Sequence, residues 1–236
     1  MSDEAPADPR EAPPPDLRRA PADPLPVFPL PGLVALPGTE VAFHFFEPRY
    51  RAMAKDLVGD EEDAQRVREL VLAEVVPGED PRRDDCKLYE LGSVGRVVAS
   101  EVHRDGTIDV LLSVRSRVRL AEVERGALLY RRAHVEVLED VVRSGAALDA
   151  TEVSLRACGR ELVEIERELG GGQGVRFDGG PGLLADRLAD RYFRRLPELR
   201  RQVLETLDVL GRGELVLEHL AKILVAIRAA HGDQLN

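Results

Sequence analysis

Four prolines fall within fourteen residues in the stretch LPVFPLPGLVALPG at 25–38 (Pro26, Pro29, Pro31 and Pro37). Proline lacks an N–H and fixes φ, so neither a helix interior nor a central strand is expected to hold this segment. Val41–Phe46 then supplies a dense β-type run of valine and aromatics. At Glu47-Pro48 a helix is expected to begin, because proline suits the first helical position, where its missing N–H is not needed. Tyr50, Met53, Ala54, Leu57 and Val58 follow at helical spacing, with Arg49, Arg51 and Lys55 on other faces. A kinked apolar segment, a regular strand and a short amphipathic helix are therefore predicted in that order.

These residues carry a resemblance. The 25–38 string followed by HFFEPRYRAM at 44–53 resembles the opening of the Lon-protease N-terminal, substrate-recognition domain family. YELGSVGRVV at 89–98, LLSVRSRVRL at 111–120 and LETLDV at 204–209 extend the similarity, in order, over roughly residues 25–228. The resemblance implies a PUA-like β pseudo-barrel with one short helix, followed by a helical bundle: an α+β chain. It also implies a module that binds polypeptides, either unfolded or hydrophobic protein segments or a protease or chaperone partner, as part of protein quality control. Full Lon enzymes add an ATPase and a Ser–Lys proteolytic module. Neither set of motifs occurs in this sequence, so hydrolysis of ATP or of peptides is not expected.

The residues themselves support a two-part chain. Residues 1–24 hold seven prolines and six acids against three arginines, a composition that cannot offset the entropy of ordering. A disordered tail is expected there, with a docking or spacer arm as the alternative. Residues 60–68 are charged, a loop or helix end, and Glu69–Val76 is a short apolar run closed by Pro77-Gly78, which predicts a buried strand. Residues 78–87 are turn formers and charge, an exposed connecting loop. From Leu88 to Asp140 β signals crowd together. Asp105-Gly106 marks a hairpin, and Val114, Val118 and Leu120 alternate with Arg115, Arg117 and Arg119. The run resumes at 128–140, and several strands with short turns fit a sheet closing toward a small barrel. One β domain over 25–140 is the expectation.

The period then changes to that of helices. Asp149 or Thr151 is the expected cap of a helix carrying Leu155, Cys158, Leu162, Ile165 and Leu169, ended by the glycines at 170–174. A second helix follows Pro181 with Leu184, Leu188 and Tyr192 or Phe193, a third starts at Pro197, and a fourth runs from about Gly213 through Ile227. Four amphipathic helices over 149–231 make a bundle.

Chemistry is sparse. The glycines at 170–182 lack the lysine and hydroxyl of a phosphate loop. His44, His103, His134, His219 and His231 are scattered and fall into no ligand spacing, and His44 reads as a strand residue; no metal and no cofactor are expected. Ser93, Ser113, Ser116 and Ser154 sit in no nucleophile motif, so no catalytic residue is assigned. Cys86 and Cys158 read as reduced thiols of a cytoplasmic protein, and no run approaches the roughly 20 apolar residues of a membrane span.

The candidate peptide-binding residues are Phe28, Leu30, Leu33, Val34 and Leu36 of the kinked segment, with Glu47, Arg49 and Tyr50 of the helix corner. Two readings stand for each group. The apolar five are either core or an exposed patch for unfolded chain, and the corner either defines the fold, with Glu47 capping the helix, or touches substrate. A net charge of −10 argues against nucleic acid. The alternative is an RNA-binding PUA-like module, which needs Arg115, Arg117, Arg119, Arg131 and Arg132 on one face. A ligand-bearing enzyme or regulator is a further rival that no constellation supports. Oligomerisation is left open.

Overall fold

The computed structural model describes residues 23–59, 68–83, 85–123, 127–171 and 174–232. The tail expected to be disordered lies outside these residues except for its last two positions, as does nearly all of the charged 60–68 segment. The described residues form six strands and five helices: β1 (Leu25–Pro31), β2 (Glu40–Phe45), α1 (Pro48–Val58), β3 (Glu69–Val75), β4 (Leu91–Val102), β5 (Ile108–Val123), β6 (Arg131–Leu138), α2 (Ala146–Glu168), α3 (Pro181–Tyr192), α4 (Pro197–Glu205) and α5 (Val209–Gly232). By contact they group into two units, residues 1–31 with 40–137, and residues 32–39 with 138–236.

In the first unit the sheet order is β2-β5-β4-β3-β1-β6, and β6 pairs again with β5, so five strands form a closed ring. Closure removes the open edges of these five strands, leaving β2 as an edge strand paired to β5. β1 is therefore an interior strand, which corrects the expectation that its prolines would keep it out of one. The registers supply the reason. Leu25–Val27 pair antiparallel with β6 and Val27–Pro31 pair parallel with β3, so only Val27 is paired on both sides. Each proline lies where β1 has a ladder on one side only, which is the condition a proline needs. The ring encloses Leu25, Val27, Val71, Ala73, Val94, Val118, Ala133 and Val135.

One predicted pattern holds and one is modified. β3 is buried along its whole length, as its apolar run requires. The simple alternation on β5 is interrupted where the β4–β5 register shifts between Val94 and Gly95, and Arg117 is buried together with Val118. A bulge of this kind re-aims the residues beyond it. At the Asp105-Gly106 hairpin, Gly106 has φ +80° and its N–H donates to the His103 carbonyl at 2.9 Å.

The second unit is built on a core of α2–α5 that includes Leu155, Leu162, Leu184, Leu188, Phe193, Val203, Val216 and Leu220. Pro181 and Pro197 open their helices as predicted. α2 begins at Ala146 rather than at Asp149 or Thr151, and α5 at Val209 rather than near Gly213. The α2 start has Gly145 before it and places Asp149 in the first turn, where an acid suits the helix dipole. Gly159 lets α2 and α3 approach closely: a Cβ there would lie 2.7 Å from Leu188 Cδ2.

Residues 32–39 also belong here, not with the strands on either side of them in sequence. Val34 and Leu36 are fully in the helical core. Their backbone is held by guanidinium groups: Arg200 donates to the Val34 carbonyl, and Arg187 Nε to the Gly38 carbonyl at 3.2 Å.

Arg212, at 0% exposure, is the largest fully buried side chain. Its Nη1 donates to Asp140 Oδ1 at 2.8 Å and to the Thr206 carbonyl at 2.9 Å, its Nη2 bonds Asp140 Oδ2, and Asp186 lies 3.5 Å from Nε. Removing one member of such a cluster strands the remaining charges away from water. Arg212→Ala is therefore expected to lower the unfolding free energy by about 3–5 kcal/mol, read as a fall in the urea midpoint. A loss below about 1 kcal/mol, the range of a surface ion pair, would contradict this account.

Candidate functional site

The sequence-predicted residues divide between core and surface. Phe28 is buried at the centre of an aromatic cluster, edge-on to Phe43 and Phe45 at 5.0 Å and to Tyr50 at 4.6 Å. Pairs at these distances and angles are favoured by the ring quadrupoles. Tyr50, Val34 and Leu36 are also buried, whereas Leu30 and Leu33 are half-buried. The kinked segment is thus mostly core, the first of its two readings.

Glu47 precedes α1, but its carboxylate makes no cap hydrogen bond and instead accepts from Arg49 Nε at 3.1 Å. The expected side-chain cap is replaced by this ion pair. Arg49 reaches further, donating through Nη2 to the Pro81 carbonyl at 3.1 Å and lying 4.5 Å over the Tyr50 ring. The start of α1 is fastened in this way to the 78–87 loop.

Around this corner lies a cleft of about 750 Å³ lined by Phe46, Glu47, Pro48, Arg49, Arg82, Leu128 and Leu129. Its walls are fixed. The Tyr130 hydroxyl donates to Asp56 of α1 at 2.7 Å, and Arg131 Nη1 donates to the Cys86 carbonyl at 2.7 Å. Phe46 is 64% exposed and Leu129 58% exposed, next to the two guanidinium groups. Large apolar side chains standing in solvent beside cations form a surface suited to non-covalent contact.

Sequence reasoning missed Phe46, Arg82, Leu128 and Leu129. Phe45 is 1% exposed while Phe46 points outward, so the strand's period of two carried the signal. Leu128 and Leu129 were read as part of a strand, but β6 starts only at Arg131 and leaves them in the loop. His44 and His103, read as scattered, in fact converge on Asp109. Three arginines of the RNA alternative are committed elsewhere, Arg119 to Glu136, Arg131 to Glu122, and Arg132 to the Pro24 carbonyl, and Arg117 is buried.

The first unit thus combines a ringed sheet with a pinned, partly apolar cleft. Residues 24–222 match the family of the ATP-dependent protease La (LON) substrate-binding domain. The chain belongs to that family. It is 30% identical over 199 residues to a Lon protease of Anaeromyxobacter dehalogenans, covering 83% of this chain and 23% of that protein. A Lon protease of Paraburkholderia phytofirmans is 30% identical over 219 residues, covering 91% of this chain and 26% of that protein. The chain thus spans about a quarter of the length of these relatives. The fold is similar to the N-terminal domain of a Mycobacterium avium complex Lon protease, with TM-score 0.60, 17% identity, and coverage of 84% of this chain and 98% of that one. It is likewise similar to a Lon N-terminal domain protein from Xanthomonas campestris, with TM-score 0.55, 20% identity, and coverage of 83% and 98%. Among the described residues no helix is long and apolar enough to cross a membrane.

Burial pushes the Tyr50 phenol up to about 12 from 10.0, with Glu47 adding to the rise and Arg49 opposing it. A phenol that ionises less readily in the folded state contributes stability that is complete below pH 10 and is lost as pH rises toward 12. The urea midpoint is expected to fall more steeply above pH 10 in the native sequence than in Tyr50→Phe. Parallel curves for the two proteins would refute the assignment.

Proposed function

We propose that this chain is a non-catalytic polypeptide-binding module that takes exposed hydrophobic segments of unfolded protein into the cleft at the β2–α1 corner. The observation that carries the reading is the exposure of Phe46 and Leu129 at the mouth of a cleft whose walls are held by hydrogen bonds. An apolar side chain of a bound segment would cover Phe46, Leu128 and Leu129. Arg49 and Arg82 would meet its carbonyls or acidic groups, with Glu47 holding Arg49 in place. Phe28 and Tyr50 serve from beneath, as the packing that sets the corner. Membership of a substrate-binding family supports the same reading. In finer terms we read the ringed sheet as PUA-like and the four C-terminal helices as a bundle, in a cytoplasmic protein that serves protein quality control beside a protease or chaperone.

The test is fluorescence anisotropy of a labelled, permanently unfolded polypeptide and of its folded counterpart, each titrated with the full chain. Saturable binding to the unfolded form alone is expected. The double variant Phe46→Ser, Leu129→Ser should weaken it at least about tenfold, as loss of an apolar anchor does, while circular dichroism stays unchanged. No saturation at high micromolar protein, or equal binding by the folded variant, would overturn the proposal.

A further inference from the structure

We propose that His44, His103 and Asp109 form a binding site for a divalent first-row transition metal ion such as Zn²⁺. The site stands on the outer part of β2, β4 and β5 and is independent of the polypeptide-binding reading. His44 and Asp109 are direct partners in the β2–β5 register, and His103 sits one residue beyond β4. The Asp105-Gly106 turn therefore folds His103 back over Asp109. His103 N–H donates to the Thr107 carbonyl at 2.9 Å, and the Asp105 carboxylate accepts from the Thr107 N–H at 3.0 Å and its hydroxyl at 2.7 Å. The scaffold that presents the trio is a closed hairpin.

The donor atoms converge. His44 Nδ1 lies 2.5 Å from Asp109 Oδ1, and His103 Nε2 lies 2.8 Å from Asp109 Oδ2. All three ligand atoms fall within 4.8 Å of one another. A tetrahedral ion with bonds of about 2.0 Å holds its ligand atoms about 3.3 Å apart. Small side-chain rotations that open the two hydrogen bonds admit such an ion in place of the shared protons. Two imidazoles and one carboxylate are the donor set that Zn²⁺ and its neighbours prefer, whereas Ca²⁺ and Mg²⁺ require a shell of oxygens.

The surroundings fit as well. Glu101 Oε1 lies 3.9 Å from His103 Nδ1, the ring nitrogen turned away from Asp109, where an outer carboxylate orients a ligating histidine. The His44 ring is stacked on Phe46 with 24° between planes and centroids 6.3 Å apart, which limits its rotation. A groove of about 520 Å³ bordered by Ala42, Phe43, Ser100 and Glu101 leaves room for water as a fourth ligand. A bound ion would join β2 to the β4–β5 hairpin.

The experiment is titration of the metal-free full chain with Co²⁺ followed by visible absorption, with displacement by Zn²⁺ and calorimetric stoichiometry. One ion per chain is expected, with intense bands of low-symmetry Co²⁺ and a Zn²⁺ dissociation constant in the micromolar range or tighter. Asp109→Asn and the exposed-site variant His44→Gln should each weaken binding by about tenfold or more, and His134→Gln on β6 should not. The melting temperature should rise with Zn²⁺ in the native chain alone. Millimolar binding, retention of affinity in both variants, or equal loss in His134→Gln would each overturn the site.

Discussion

The first unit depends on β1 standing between β3 and β6. Without it those two strands would present unpaired N–H and C=O groups, and the ring would open into a sheet with bare edges. A chain with prolines at 26, 29 and 31 is an unpromising element for that position. It succeeds because the two ladders are staggered, sharing only Val27. From that strand Phe28 reaches Phe43, Phe45 and Tyr50, and Tyr50 belongs to α1. The pairing of β1 thereby fixes the helix corner, and with it the orientation of Arg49 and the cleft.

The helical unit solves a different problem, the accommodation of polar backbone and charge inside apolar packing. Val34 and Leu36 enter its core on a segment without regular structure, whose carbonyls would otherwise lose water without gaining a partner. Arg187 and Arg200 supply donors to that backbone, and Arg200 also meets Asp190 at 2.7 Å. Arg212 gathers Asp140 and Asp186 in the same way. Buried guanidinium groups are stable here because each is met by carboxylate or carbonyl oxygen, the condition for keeping a charge out of water.

The two proposed surfaces occupy one corner of the first unit through the period of β2. Phe45 turns inward to the aromatic cluster, while His44 stacks on Phe46, which lines the cleft. Apolar contact and metal coordination draw on different chemistry, and the cleft and the histidine–aspartate trio share no lining residue.

Local pattern was enough to read the β-to-α order of the chain, the hairpin at Asp105-Gly106, the buried strand at 69–75 and the proline-initiated helices, because turn chemistry, apolar runs and proline's missing N–H act within a few residues. The specific strings at 25–38 and 44–53 likewise carried the family. Tertiary structure alone decided the rest. Whether Val34 and Leu36 face water depends on helices more than a hundred residues away, and the burial of Arg117 follows from a register shift against β4. Leu129 is exposed and Leu128 half-buried in a loop because β6 begins only at Arg131, and His44 meets His103 only because β2 pairs with β5. Sequence periodicity states which residues are apolar and how they alternate; long-range pairing decides what each of them touches.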